Sequence, residues 1–312
     1  MFAIFAYPLY GLLAYIGIML TALVGYTFVP SAPLILGFIA RSMSAYLALL
    51  IASAYGTIAG AVLKPLGLHY KYGQWTAGRA FKYLCKIMIG VEFVIEGDGK
   101  ELLENTRPAV LVGNHQTELD LLMLGSMFPT GCSITAKKSL ARTPVLGWFM
   151  LLSGTVFIDR ADRSQAMKAF ETAAKVMKEK KQCVFMFTEG TRSYSDEPML
   201  LPFKKGAFHM AVQGQVPIVP VVTENYSYVL NVKKKRFNAG KVRIRGKTKS
   251  HGQRHSTNAL AVLPPILTKG KTAADVDALL QETREAMLKA LHEMAQDSQS
   301  MKESNVLSKK NT

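Results

Sequence analysis

The chain has 312 residues, of which 49% are hydrophobic, and its mean hydropathy is +0.14, enough for one domain of catalytic size together with membrane-embedded segments. The formal net charge of +16 implies an anionic partner: nucleic acid, an anionic membrane surface or a phosphorylated substrate. Its three cysteines, Cys85, Cys132 and Cys183, are odd in number and widely spaced in apolar sequence, which argues against a disulfide framework or a zinc site and favours a reducing compartment.

Two hydrophobic segments open the chain. Residues 1–40 contain no charged side chain, Arg41 follows, and residues 42–63 are again uncharged. About 20 apolar residues are needed for a helix to cross a bilayer, and the stretches 7–29 and 42–63 both meet that length. A cleaved signal peptide is disfavoured because the first segment has no basic start and is too long. We predict a membrane-anchoring helical hairpin over residues 1–64, with a re-entrant or interfacial hairpin as the alternative.

A basic stretch follows the second segment and contains no acidic residue before Glu92. Because positive charge flanks the cytosolic side of membrane helices, this stretch predicts that everything after residue 64 is cytosolic. Its interleaved aromatic residues favour contact with anionic lipid over an ordinary solvated helix. The basic residues are Lys64, His69, Lys71, Arg79, Lys82 and Lys86.

From residue 91 onward, short β-branched runs alternate with helical patterns, which predicts an α/β fold with a mixed sheet flanked by helices. Helical periodicity covers 162–180 and 273–295, whereas the polar composition of 296–312 predicts a disordered tail. The domains are therefore predicted as the anchor at 1–64, an α/β domain at 65–295 and the tail. Strands are predicted at 91–96, 109–113, 132–136, 155–158, 183–187 and 218–222, and weaker ones at 241–245 and 260–263.

The strand at 109–113 runs directly into a polar cluster that contains His115 and Asp120. An aspartate five residues after a histidine can fold back and accept from one ring nitrogen, which leaves the other nitrogen free to remove a proton. A core histidine satisfied by a local carboxylate is the alternative. Metal ligation with Glu118 as a third ligand is disfavoured, since no second histidine lies nearby. We predict catalysis by His115 and no bound metal.

Five further sequence motifs follow the block at His115 along the chain. They are Ala136 to Leu140, Gly154 to Arg160, Glu189 to Ser193, Phe203 to Gly206 and Val216 to Pro220. Together with the block at His115, they make the chain resemble the glycerolipid acyltransferase family, specifically the 1-acylglycerol-3-phosphate (lysophosphatidate) acyltransferases, over about residues 75 to 225. Ser139 departs from the pattern, because many relatives carry glutamate there. The resemblance implies the glycerolipid acyltransferase fold.

A phosphate clamp is predicted at the third block. Arg192 can bind phosphate oxygens bidentately, Gly190 permits close backbone approach and Thr191 can donate a hydroxyl. Glu189 repels phosphate, so we expect it to fix Arg192 or a loop amide. The resemblance adds Lys138 and Arg160 on the phosphate side.

The resemblance implies an enzyme in which His115 is the general base and Asp120 its orienting partner. The hydroxyl at the sn-2 position of lysophosphatidic acid would attack the thioester of acyl-CoA, with no acyl-enzyme and no cofactor. Glycerol 3-phosphate or another lysophospholipid is an alternative acceptor, and a non-catalytic lipid-binding protein is the alternative class. A serine hydrolase is disfavoured because the chain has no Gly-x-Ser-x-Gly elbow. Dispersed basic residues and the hydrophobic start argue against nucleic-acid binding.

Two short signals bear on location. Lys309 and Lys310, at the fourth and third positions from the end, resemble the di-lysine retrieval signal of endoplasmic-reticulum membrane proteins. Asn225 begins a glycosylation sequon, so a glycan at that residue would place the catalytic domain in the lumen. We predict a multi-pass protein of the endoplasmic reticulum membrane whose partners are the lipid bilayer, acyl-CoA and lysophosphatidic acid.

Overall fold

The computed structural model describes residues 2–29, 33–96, 98–245 and 261–310. Two long apolar helices open it, α1 at Phe2–Phe28 and α2 at Leu34–Leu63. Both are long and apolar enough to cross a membrane by length and composition, and large apolar side chains such as Tyr10, Phe28 and Ile58 are exposed on them. The predicted pair of N-terminal apolar helices is confirmed.

Helix α2 packs closely against the domain that follows. Its buried residues are nearly all small, and it lies against α3 (His69–Met88) and α6 (Leu146–Leu152). A Cβ added at Gly56 would lie 2.5 Å from Phe149, and one at Gly60 would lie 2.8 Å from Leu152. Residues 56–60 therefore make a close helix contact, and its partners are helices of the α/β domain.

The main sheet has six strands in the order β10-β6-β2-β5-β3-β4. Its neighbours are parallel except for β10, which runs antiparallel to β6, so the sheet is mixed as predicted. The six strands in chain order are β2 at Val110–Gly113, β3 at Cys132–Lys137, β4 at Val156–Ile158, β5 at Cys183–Phe187, β6 at Ile218–Val222 and β10 at Ala261–Val262.

Two smaller pairings complete the strands. A separate parallel pair joins β1 (Val91–Glu96) to β9 (Gly240–Arg245), and β7 (Leu230–Asn231) pairs with β8 (Arg236–Phe237) in a hairpin. Each of the eight predicted strands occurs, with bounds that shift by at most two residues. Residue 260 lies outside the described residues.

The remaining helices cover the sheet. They are α4 at Gly99–Asn105, α5 at Asp120–Met127, α7 at Arg163–Lys180, α8 at Gly206–Gly214 and α9 at Val276–Lys310. Alternating residues of the buried strand β2 belong to two hydrophobic cores. Leu111 packs with α2, α3 and α5 in one core, whereas Val110 and Val112 pack with α7, α8 and α9 in the other. The predicted α/β fold with helices on both faces is confirmed.

One boundary prediction is wrong. Helix α9 continues to Lys310, so residues 296–310, predicted as a disordered tail, are helical. The stretch contains neither glycine nor proline, and eight of its fifteen residues are lysine, glutamine, glutamate, methionine or leucine, which favour helix. Low apolar content argued against burial, but it does not prevent a solvated extension of an established helix.

Candidate active site

His115 lies in the loop that joins the end of β2 to the first residue of α5. Its Nδ1 is 2.7 Å from Oδ2 of Asp120, which opens that helix and is fully buried. The same carboxylate oxygen accepts from the backbone N–H groups of Gln116 at 2.6 Å and Thr117 at 3.1 Å. The two predicted residues are thus in direct contact, and the loop's own amides fix the carboxylate.

The imidazole of His115 is held on its other sides as well. Its ring stacks on Phe187 with a centroid distance of 3.9 Å and an interplanar angle of 14°. Its backbone N–H donates to Glu189 at 2.7 Å. Because Asp120 occupies Nδ1, Nε2 is the ring nitrogen left for a substrate, and the side chain is 16% exposed.

Glu189 is a buried acceptor for two loops. One carboxylate oxygen accepts from His115 N–H, and the other accepts from Leu201 N–H at 2.8 Å. Burial raises the pKa of Glu189, and the two backbone donors act against that shift. Of the two partners expected for Glu189, the loop amide is found, while Arg192 is held by a different carboxylate.

Arg192 is held at the loop before α5. Its Nη1 lies 3.2 Å from Glu118 and 3.3 Å from the hydroxyl of Tyr194, and that hydroxyl donates to Glu118 at 2.6 Å. Backbone bonds join the same loops, since Ser193 N–H donates to the carbonyl of His115 at 3.0 Å. The predicted clamp residue and the predicted base therefore share one rigid framework.

The other predicted phosphate residues divide into two groups. Gly190, with φ of +71°, accepts from Arg160 Nη1 at 2.7 Å through its carbonyl, and Thr191 lies beside it on the wall of the same cavity. Lys138 instead makes an ion pair with Asp159 at 3.2 Å, and the neighbouring lysine, Lys137, lines the cavity. The structure brings Arg160, Gly190, Thr191 and Arg192 to His115 and leaves Lys138 outside that group.

His115 lines a cavity of about 760 Å³. Arg160, Arg192 and Lys204 also line it, whereas most of its wall is apolar and comes from α2, α3, α5 and α6. Apolar wall residues include Leu49, Ala52, Ala77, Phe81, Leu121, Leu124, Phe149 and Met150. The arrangement can hold a molecule with an anionic end and a long apolar part in one cavity with a base.

Sequence reasoning missed four contributions to this site, from Tyr194, Tyr226, Gln74 and helix α2. Tyr194 and Tyr226 donate their hydroxyl protons to Glu118 and Asp120, and Gln74 of α3 holds the cavity wall through Thr155 and the N–H of Ile134. The part of α2 that lines the cavity was assigned to an anchor alone. The one available signal was that Tyr226 follows a predicted strand, 218–222, as His115 follows the predicted strand 109–113.

The structure also bears on the alternative that His115 is a metal ligand. Among the described residues, no three histidine, cysteine, aspartate or glutamate side chains come together at a distance that would hold an ion. Glu118, considered as a third ligand, is engaged with Arg192 and Tyr194. The three cysteines are buried and not in disulfides, and burial raises the pKa of Cys183 to about 12.

Comparison with known proteins identifies the protein family to which the chain belongs. The family model described as Acyltransferase matches residues 94–224, which contain His115, Asp120 and every predicted phosphate residue. An uncharacterized acyltransferase of Schizosaccharomyces pombe is 44% identical over 81% of this chain and 84% of its own. The chain belongs to the acyltransferase family and is an enzyme of that family.

The named relatives narrow the class. The 1-acyl-sn-glycerol-3-phosphate acyltransferase of Saccharomyces cerevisiae is 38% identical over 81% of this chain and 77% of its own. The human beta form of the enzyme with that name is 39% identical over 67% of this chain and 66% of its own. The crystal structure of a 1-acyl-sn-glycerophosphate acyltransferase of Thermotoga maritima, 18% identical, matches with a TM-score of 0.58 over 84% of this chain and 95% of that one, which supports the fold.

Proposed function

We propose that this chain transfers a fatty acyl group from acyl-CoA to the sn-2 hydroxyl of 1-acyl-glycerol 3-phosphate, which gives phosphatidic acid and CoA. The observation that carries the proposal is that His115 lines one cavity together with a largely apolar wall and three cationic side chains, Arg160, Arg192 and Lys204, which we call the cationic rim. The names of the relatives from yeast and human support the choice of acceptor.

His115 acts as the general base in this proposal. Asp120 accepts a hydrogen bond from His115 Nδ1, which leaves Nε2 to take the proton of the sn-2 hydroxyl. As the proton leaves, the hydroxyl oxygen attacks the carbonyl carbon of the thioester. The carbon–sulfur bond breaks, the proton passes to the CoA sulfur, and neutral His115 is restored. A positioned base contributes about 10² to 10⁴ in rate, and holding both substrates together contributes further, so no acyl-enzyme is needed.

The cationic rim binds the phosphate of the acceptor. Arg192 is held by Glu118, in the loop that contains His115, and Arg160 donates to the carbonyl of Gly190. Both guanidinium groups are partly exposed, so N–H donors remain for phosphate oxygens. Lys138 forms an ion pair with Asp159 on the surface, so we do not assign it to phosphate binding.

The apolar wall accepts an acyl chain. A volume of about 760 Å³ falls within the range of roughly 300–1,000 Å³ found for ligand pockets, and apolar burial stabilises a chain by about 0.8 kcal/mol for each methylene. The wall includes Leu49, Ala52 and Ser53 of α2, the helix that is also long and apolar enough to span a bilayer. A lipid substrate can thus reach the base along the same helix that anchors the enzyme.

We further propose the endoplasmic reticulum membrane as the location, with two spans and a cytosolic catalytic domain. The basic residues after α2 and the lysines Lys309 and Lys310 support it, although residues 311 and 312 of that signal lie outside the described residues. The amide of Asn225 donates to the carbonyls of Ser195 and Glu197, contacts that a glycan would break. Absence of a glycan at Asn225 in the native protein is expected, and its presence would overturn the topology.

Purified protein with oleoyl-CoA and lysophosphatidic acid is expected to release CoA thiol and form phosphatidic acid. The His115→Ala variant should lose this activity but still partition with membranes. The control is His292→Ala, at an exposed histidine of α9, and this variant should keep the wild-type activity. Arg192→Ala should raise KM for lysophosphatidic acid more than KM for oleoyl-CoA, with Arg192→Lys intermediate.

The same assay decides among the other candidates. Turnover with glycerol 3-phosphate or lysophosphatidylcholine at an equal or higher kcat/KM would contradict the proposed acceptor. No CoA release with any acceptor from folded, membrane-associated protein would contradict the enzymatic proposal and favour a lipid-binding role.

A further inference from the structure

The second oxygen of the Asp120 carboxylate has its own donor. Oδ2 faces His115 and two backbone amides, whereas Oδ1 accepts from the hydroxyl of Tyr226 at 2.5 Å. Asp120 and Tyr226 are both fully buried, so no water competes for that oxygen. The carboxylate that orients the base is therefore itself oriented by a side chain 106 residues further along the chain.

The Tyr226 hydroxyl is in turn part of a chain of hydrogen bonds. It lies 3.0 Å from the hydroxyl of Thr117, whose oxygen accepts from Leu119 N–H at 3.1 Å. Because the single Tyr226 proton goes to Asp120, the Thr117 hydroxyl donates to Tyr226. Burial raises the pKa of Tyr226 well above its ordinary value, so the hydroxyl stays protonated and remains a donor.

Hydrogen bonds join the loop after β6 to the loop after β2, and they hold Tyr226 beside Asp120. Asn114 exchanges two hydrogen bonds with the backbone of Thr223, at 2.9 and 2.8 Å. Gln116 donates to the carbonyls of Thr223 and Glu224. The two strands are neighbours in the sheet, so these bonds fix the Tyr226 backbone relative to His115.

The ring of Tyr226 is fixed from the opposite side. It packs edge-on against Phe93 of β1 with a centroid distance of 5.6 Å, and both rings are fully buried. The family model ends at residue 224, two residues before Tyr226. The residue thus lies outside the matched blocks but inside the hydrogen-bond network of the base.

We infer that Tyr226 is a positioning residue for the proposed acyl transfer, which holds Asp120 through Oδ1 so that Oδ2 stays directed at His115 Nδ1. Its hydrogen bond also withdraws charge from the carboxylate, which keeps His115 from retaining the proton it must pass to CoA. The inference rests on the proposed function, because it concerns the base of that reaction. Other charged groups near Asp120 are Glu189 and Arg192.

The test compares Tyr226→Phe with Tyr228→Phe, which removes the hydroxyl of an exposed tyrosine two residues further along the chain that donates to Glu224. Tyr226→Phe is expected to lower kcat roughly tenfold to hundredfold, from the typical strength of a hydrogen bond to a charged group, with KM for both substrates nearly unchanged. The acidic limb of its kcat profile should move to higher pH, whereas Tyr228→Phe should match the wild type in both respects.

A purely structural role would give a different result. It would lower the melting temperature or the active fraction and leave the pH profile of the remaining activity unshifted, which would overturn the inference. So would a kcat for Tyr226→Phe within about twofold of the wild type, a difference well below that of one such hydrogen bond. An inactive wild type would instead contradict the proposed function itself.

Thr117→Val decides the matter if Tyr226→Phe does not fold. It removes the donor to the Tyr226 oxygen, weakens that hydroxyl as a donor and keeps its contact with Asp120. A shift of the acidic limb in the same direction supports the inference, and an unshifted profile in folded protein overturns it.

Discussion

Replacing Glu189 by glutamine is expected to damage catalysis more than stability. The carboxylate accepts from His115 N–H at 2.7 Å and from Leu201 N–H at 2.8 Å, and it is 2% exposed. An amide has one oxygen, so one backbone donor must face an NH2 group and loses a charge-assisted hydrogen bond of about 1.5–3 kcal/mol. Burial raises the pKa of Glu189, which shows that its charged form is costly to bury, and the neutral glutamine avoids part of that cost. We therefore expect the free energy of unfolding to fall by about 1–2 kcal/mol in total.

That loss corresponds to a melting temperature lower by about 1.5–3 °C, because the unfolding entropy grows with chain length and this chain has 312 residues. The rate should fall further, because Glu189 holds the backbone of the base and loses one of the two bonds that fix its own position, and a misplacement of about 1 Å costs on the order of 10²-fold in rate. Activity with acyl-CoA and lysophosphatidic acid is measured beside thermal unfolding in the same detergent. Glu171→Gln, an exposed glutamate on α7, is the matched control and should change neither quantity.

The reasoning on Glu189 would be refuted by folded Glu189→Gln protein whose kcat lies within about threefold of the wild type, since the expected loss is on the order of 10²-fold. A pH series adds a second check. A glutamate whose pKa is raised on folding contributes stability that is present below its ordinary pKa and is lost as pH rises through the folded value. The stability difference between the wild type and Glu189→Gln should therefore be largest at the acidic end and shrink as pH rises.

Three further results are expected. Gly125→Ala should lower the free energy of unfolding by about 1–3 kcal/mol, because its Cβ would lie 2.4 Å from the carbonyl oxygen of Gly78. Gly17→Ala, with nothing within 4 Å, is the control for thermal unfolding. Cys85 and Cys183 should react slowly with a thiol reagent in the native protein and quickly after denaturation, because burial raises both pKa values to about 12. Deleting α1 should leave folded protein, detected by thermal unfolding, whereas deleting α1 and α2 should not, since α2 contributes to the core.

The sequence predicts the parts of the site that are local. The strand at 109–113 ends at a polar cluster, and the five-residue spacing of His115 and Asp120 can close within a single loop, so their contact followed from the order of residues. The contacts of Glu189 with His115 and of Tyr226 with Asp120 span 74 and 106 residues. They depend on which strands become neighbours in the sheet, and strand order is not encoded in any local pattern.

The role of α2 shows why a boundary drawn from charge differs from one drawn from packing. Charge ends the uncharged segment at residue 63, which assigns all of α2 to an anchor. Hydropathy averages over the helix circumference, so it cannot distinguish a face toward lipid from a face toward protein. In the structure one face carries Ala48, Ala52 and Gly56 against the domain, while Ile58 and Val62 are exposed. A helix whose one side completes the cavity beside His115, and whose other side is suited to lipid, belongs to the catalytic domain as much as to the anchor.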